Sequence, residues 1–254
     1  TSYVSTAGDF TQAASLTGAT LTTNMQFLTG VYVSTADDVS VLVAFGDSIT
    51  DGTASTPHTY HSWPDYFAER VSTGNGGRKI AVVNQGISGN QVLADGAGTS
   101  ALTRFDRDVL SNPGVTHVVV LEGINDLGIS GLVFPGANAP PGPLRTAADL
   151  IAGYRQLIAR AHANGLKIYG ATLTPFEGVA PGYYSPAKDE IRLEINKWIR
   201  ESGEYDGVID FEAAVRNGTN PRIIRKEYDS GDHLHPGDAG YKAMADFIDP
   251  ALFR

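Results

Sequence analysis

The chain has 254 residues, 42% of them apolar and 19% charged, the proportions of an ordinary folded protein rather than of a disordered or fibrous one. Its 28 acidic residues outnumber 19 basic ones for a net charge of -9, and no run of Lys or Arg offers a footprint to nucleic acid. There is no cysteine, which excludes disulfides, thiolate metal sites and a Cys nucleophile together.

Residues 1–38 are rich in Thr, Ser and Ala, with β-leaning pieces such as Val31-Tyr32-Val33 and no helical period. They read as a β-rich N-terminal extension, or as the remnant of a preceding module. From Val39 onward short apolar runs alternate with amphipathic segments, the pattern of βαβ units around a parallel sheet, so residues 39–254 form the main domain. Buried strands are predicted at Val39 to Phe45, Ile80 to Asn84, His117 to Leu121, Lys167 to Thr172 and Val208 to Phe211, each a continuous apolar run suited to a strand covered on both faces. A helix is predicted around Trp63 to Val71.

Two later helices have legible ends. Thr146 with Asp149 resembles a capping box and Asn164-Gly165 a stop, enclosing Leu150, Ile151, Tyr154, Leu157, Ile158 and Ala161 at helical spacing. Ser185-Pro186 opens the other, which turns Ile191, Ile195, Trp198 and Ile199 inward. Both stripes read as core. Between them and the third strand, Leu127 to Leu144 is dense in Gly and Pro and longer than a routine connection, which suits a loop lining a substrate cleft. No apolar stretch approaches the roughly 20 residues that span a bilayer, so membrane insertion is not expected. The first residue is Thr1, as in a processed protein, and secretion is the expected localisation.

Four short segments carry chemistry. Gly46-Asp47-Ser48-Ile49-Thr50 follows the first strand of the main domain, and in open α/β sheets ligands bind at the carboxyl ends of strands. On its own the tripeptide Gly-Asp-Ser is also ordinary turn chemistry. Asp232-His233-Leu234-His235-Pro236 places a carboxylate and an imidazole three positions apart, and a Ser hydroxyl needs a base of that kind, held in one tautomer by a carboxylate. Asn84 to Asn90, after the second strand, and Gly123-Ile124-Asn125-Asp126, after the third, read as turns or as donors to a developing oxyanion.

In order and across nearly the whole main domain, these segments resemble the blocks of the SGNH-hydrolase superfamily, the GDSL esterases. The resemblance implies a flavodoxin-like three-layer α/β/α sandwich, which agrees with the count of about five strands. It also implies a nucleophile at Ser48, a base at His235 oriented by Asp232, and an oxyanion hole of the Ser48 and Gly89 backbone N–H groups and the Asn125 side chain. Gly86 also flanks Ser88 and is read as a structural turn glycine; the Ser-Gly-Asn order favours Gly89 as the donor. No metal or organic cofactor is implied. Family members act on acetylated carbohydrates, short aryl esters, lipids and thioesters, and the expected substrate is a short-chain, acetyl-type ester, of a carbohydrate or another small molecule. Tyr60, Trp63, Phe134 and Tyr183 suit either aromatic walls of the cleft or packing residues.

Two other readings compete. His233 and His235 beside Asp232 and Asp238, with His58 and His61, suit a metal-dependent hydrolase, but that leaves Ser48, Gly89 and Asn125 without a task. A non-catalytic glycan-binding module would tolerate a degraded site, yet every position is occupied. His117 and His162 read as a strand residue and a helix-surface residue. Oligomeric state leaves no trace in the sequence.

Overall fold

A computed structural model describes residues 2–22, 30–35, 38–73, 79–132 and 144–253, and the chain divides into two units, Thr1–Ala36 and Asp37–Arg254. In the first, β1 (Ser2–Val4) pairs antiparallel with β2 (Thr20–Thr22), setting Tyr3 opposite Leu21. Val31, Tyr32 and Val33, β-leaning by composition, lie in no strand and are exposed. Three residues supply few ladder bonds, and among the described residues no strand pairs with them.

The second unit begins with β3 (Val39–Gly46), which runs into the single turn of α1 (Ser48–Asp51) and then α2 (Trp63–Thr73). After β4 (Lys79–Gly86), helix α3 (Ala101–Phe105) continues into a π-turn over Asp106–Leu110 and leads to β5 (Val115–Leu121). Next come α4 (Ile124–Ile129), α5 (Ala147–Ala163), β6 (Lys167–Ala171) and α6 (Pro186–Glu201). The chain closes with β7 (Gly207–Ile209), α7 (Phe211–Val215) and α8 (Asp238–Phe247).

Among the described residues five parallel strands form one sheet in the order β4-β3-β5-β6-β7. Numbered within the sheet this is 2-1-3-4-5, the flavodoxin-like order, whose ligand crevice lies where successive connections leave on opposite sides. Leu42 to Phe45 and Val118 to Leu121 are buried at every position, so helices cover both faces. Helix α2 packs with α8, which also meets α7, while α5 packs with α3 and α6.

The predicted helix ends are present. Thr146 and Asp149 form a reciprocal capping box, Asn164 ends α5, and Ser185 accepts from the Lys188 N–H ahead of Pro186 in the first turn of α6. Leu150, Tyr154, Leu157, Ile158 and Ala161 are buried, as their spacing requires. Two predictions need correction. The last strand stops at Ile209 rather than Phe211, because the Asp210 carboxylate accepts from the Ala213 N–H at 3.1 Å and starts α7. The segment taken as a loop from Leu127 begins inside α4, whose Leu127 N–H bonds to Gly123 O, and residues 133–143 of it lie outside the described residues. Gly123 to Asp126, open between a turn and an oxyanion loop, is the start of that same short helix.

Candidate active site

Register sets the site. Gly46 at the end of β3 pairs with Gly86 of β4 on one side and Leu121 of β5 on the other, so the three loops that follow leave the sheet at one level. The first loop is α1 itself. Asp47 caps it by accepting from the Ile49 N–H at 2.9 Å, and Ser48, only 5% exposed, is its first residue. A first-turn N–H has no partner inside its helix, which leaves the Ser48 backbone donor uncommitted.

The imidazole beside Ser48 comes from the far end of the chain. Ser48 Oγ lies 2.8 Å from His235 Nε2, and His235 Nδ1 lies 2.6 Å from Asp232 Oδ2. Asp232 Oδ1 accepts from the Leu234 and His235 backbone N–H groups at 2.9 and 2.8 Å. Burial would raise the Asp232 pKa, but these hydrogen bonds and the His235 ring outweigh it and hold the carboxyl at about 2. A carboxylate fixed in that way takes the Nδ1–H and leaves Nε2 free to accept the Ser48 proton. The loop is braced by bonds from Ser230 N to His235 O and from Gly237 N to Tyr228 O, and α8 is tied to the nucleophile turn by Tyr241, whose hydroxyl donates to Thr53 O at 2.6 Å.

Gly89 sits at the tip of the loop after β4 with φ +79°, a conformation glycine adopts without strain. Beside it Ser88 donates to Asp51 Oδ2 at 2.6 Å and shares a 2.8 Å bond with Thr53, which pins the loop to the nucleophile turn. Gly86 is not a turn glycine. It ends β4, and its missing side chain admits the backbone of α1. Asn125, in the first turn of α4, donates from Nδ2 to Asn90 O at 2.9 Å and so ties the third loop to the second. Ser48, His235 and Asp232 are thus joined by hydrogen bonds, while Ser88 and Asn90, on either side of Gly89, tie its loop to the turn of Ser48 and to Asn125.

Under the site lies a residue with no sequence signal. Arg104, fully buried on α3, donates to Gly46 O, Gln85 O and Asn90 Oδ1, each at 2.8 Å, and pairs with Asp108 and Glu122 at 3.1 and 3.4 Å. Its guanidinium also stacks 4.0 Å from the centre of the Phe45 ring. One planar fork therefore joins the ends of β3 and β4 to the loop carrying Gly89. Around it burial pushes three carboxyls up: Asp47 to about 7, Asp126 to about 6, and Glu122 well above its usual range. Asp126 accepts from the Val92 and Leu93 N–H groups at 2.7 and 3.0 Å, which tempers its rise.

The remaining candidates separate. His61 bonds to Asp238 at 2.7 Å and His233 to Asp229 at 2.6 Å, so the imidazoles near the site stand in separate carboxylate pairs. Among the described residues no group of three or more His, Asp or Glu side chains is arranged to hold a metal ion. Trp63, which suited either a cleft wall or packing, is 0% exposed: it opens α2 on the core side and packs on Phe211 with ring centres 5.2 Å apart. Tyr60 is exposed and Phe134 lies outside the described residues. Tyr183 does reach the site, but through its hydroxyl, which donates to Asn125 Oδ1 at 2.8 Å. His117 is buried within β5, while His162 sits at the surface of α5 and bonds to Asp206.

A flavodoxin-like sheet bearing a Ser–His–Asp chain of hydrogen bonds at its carboxyl edge has the arrangement of a serine hydrolase of the parallel α/β type. The sequence profile of the GDSL-like lipase/acylhydrolase family matches residues 44–243, and the chain belongs to that family. Comparison with curated protein sequences gave no match. Among solved structures the chain resembles Axe2, an acetylxylan esterase from Geobacillus stearothermophilus, at 22% identity and a TM-score of 0.59 over 82% of this chain and 91% of that one. A GDSL-like lipase from Bacteroides thetaiotaomicron is similar at 21% identity and a TM-score of 0.56, covering 84% and 87% of the two chains. TesA is similar at 20% identity and a TM-score of 0.59, covering 84% and 98%. No helix among the described residues is long and apolar enough to cross a membrane.

Proposed function

We propose that Ser48 is the nucleophile of a cofactor-independent esterase that removes short acyl groups, acetyl above all, from carbohydrate or other small alcohols. The observation that carries this reading is the pair of bonds from Ser48 Oγ to His235 Nε2 and from His235 Nδ1 to Asp232 Oδ2. In the reaction Oγ bonds to the ester carbonyl carbon as its proton passes to His235 Nε2. The tetrahedral intermediate collapses, the imidazolium gives the proton to the departing alkoxide, and an acyl-enzyme remains. Water, deprotonated by the same imidazole, then releases the acid. The oxyanion is met by the Ser48 and Gly89 backbone N–H groups and by Asn125 Nδ2.

The choice of a short acyl group is supported by the likeness to Axe2, an acetylxylan esterase with a similar fold. The test is a series of p-nitrophenyl esters of rising chain length, run beside acetylated xylan and sugar acetates. The expected result is highest kcat/KM on acetyl esters and release of acetate from the carbohydrate; a maximum at long acyl chains overturns the substrate assignment. Fluorophosphonate labelling at Ser48, absent in Ser48→Ala, tests the nucleophile separately from the substrate.

A further inference from the structure

The Asn125 side chain has one acceptor and two N–H donors, and its terminal torsion is broad and roughly two-fold, so bonds from outside must set which way the amide faces. Two such bonds exist. Asn90 O can only accept, so Nδ2 must face it, at 2.9 Å. Oδ1 then faces Tyr183, whose hydroxyl donates at 2.8 Å. One Nδ2 N–H remains.

Tyr183 is itself held firmly. A Cβ on Gly128 would lie 2.1 Å from Tyr183 Cζ, so the ring lies directly over a gap in α4, one turn from Asn125. Lys188, at the start of α6, donates through Nζ to Gly128 O at 2.7 Å, to Gly182 O at 2.8 Å and to Tyr183 O at 3.3 Å, which fastens the backbone of the Tyr183 segment to the same helix. Phe176 meets the ring edge-on, with centres 6.2 Å apart.

We infer that Tyr183 is a positioning residue of the oxyanion hole: its hydroxyl fixes the Asn125 carboxamide with one N–H free for the developing negative oxygen. The inference rests on the reading of Asn125 as an oxyanion donor. Burial, reinforced by the neighbouring carboxylates Asp47, Asp126, Glu122 and Asp232, pushes the Tyr183 hydroxyl well above its ordinary pKa, so it remains a donor wherever the enzyme works. A donor held in place before the reaction stabilises the transition state more than the bound ester, so its loss falls on kcat rather than KM.

The test is a double-mutant cycle on p-nitrophenyl acetate with the full chain, using Tyr183→Phe, which keeps the ring over Gly128, and Asn125→Ala. Asn125→Ala is expected to lower kcat about 10²- to 10³-fold, the loss typical of an oxyanion donor. Tyr183→Phe is expected to lower kcat about tenfold with KM within about twofold, and to cost nothing further in the Asn125→Ala background. Phenylboronic acid, which forms a tetrahedral anion on the serine, is expected to bind the Tyr183→Phe enzyme about tenfold more weakly. Gly128→Ala, which displaces the ring and keeps the hydroxyl, is expected to give the same kcat-selective loss. If Asn125→Ala costs nothing, the oxyanion reading falls and this inference with it. If Asn125→Ala is impaired while Tyr183→Phe turns over normally, or loses equally in both backgrounds, only the inference is overturned.

Discussion

Gly86 and Asp51 are packed so closely that a Cβ on Gly86 would lie 2.1 Å from the Asp51 backbone nitrogen. Asp51 ends the turn that begins with Ser48, so a displacement there is expected to reach Ser48. Gly86→Ala is therefore expected to lose about 1–3 kcal/mol of stability by overpacking, read from the urea midpoint, and to lose kcat as well. Wild-type kcat in this variant would mean that α1 shifts without disturbing Ser48.

Gly89 is constrained in a different way. Its φ of +79° costs an L-residue roughly 1–2 kcal/mol, and a Cβ there would also meet Ala97 Cβ at 2.8 Å. Gly89→Ala is expected to destabilise by both routes, and adding Ala97→Gly should relieve the contact but not the backbone strain. Partial recovery of the thermal midpoint in the double variant is the expected outcome; full recovery would show that backbone conformation at Gly89 costs little.

The strands were legible because a parallel sheet buried on both faces writes itself as continuous apolar runs, and Val39 to Phe45 and Lys167 to Thr172 were placed to within a residue. Caps were legible for a related reason: Thr146 with Asp149 and Ser185 with Pro186 act on neighbours a few residues away. Ser48, Asp232 and His235 stood out through their local blocks and the family those blocks resemble. Arg104 did not, because an arginine on a short helix looks like a surface residue until the fold wraps carbonyl groups around it. Tyr183 was noticed for its ring, whereas its contact with Asn125 spans 58 positions and depends on a Gly128 gap that only the packing reveals.

Asp232 bears on activity through pH. Its carboxyl is held at about 2 against roughly 3.9 in an unfolded chain, so its share of stability is present above about pH 4 and fades as pH falls toward 2. Across ordinary assay conditions it stays ionised, and a kcat/KM profile between pH 4 and 9 is expected to show no inflection from it. Asp232→Asn, which no longer favours the Nδ1–H tautomer, should lower kcat by up to about 10⁴-fold. Activity within tenfold of the parent would assign control of the tautomer to another group.

Arg104 ties the ends of β3 and β4 to the loop that carries Gly89. Removing it in Arg104→Met takes the donor from Gln85 O and Asn90 Oδ1, leaves Gly46 O with only its bond from the Ile87 N–H, and removes the cation beside buried Asp108 and Glu122. The expected loss is about 3–5 kcal/mol in urea unfolding, with kcat reduced because the loop of Gly89 loses its anchor. Arg104→Lys should recover little of either, since a single ammonium cannot reproduce the planar fork. Near-parental stability in the Lys variant would show that charge, not geometry, is what this position supplies.

Asp47 links the turn of Ser48 to pH. Its Oδ1 caps α1 through Ile49, while its Oδ2, also buried, has no hydrogen-bond partner among the described residues. Burial, with Asp126 adding and the Ile49 N–H and Arg104 opposing, raises its pKa to about 7. The folded chain thus holds a proton that the unfolded chain, with a carboxyl near 3.9, has released, and stability from this group declines as pH rises from about 4 to about 7. One proton corresponds to a slope of about 1.4 kcal/mol per pH unit within that window. Asp47→Asn retains the acceptor for Ile49 and cannot ionise, so its thermal midpoint should fall less steeply between pH 4.5 and 7; the residual slope belongs to Asp126 and Glu122, which are raised by the same burial. Parallel curves for parent and variant would place the Asp47 ionisation outside that window and shift the pH sensitivity of the nucleophile turn onto its neighbours.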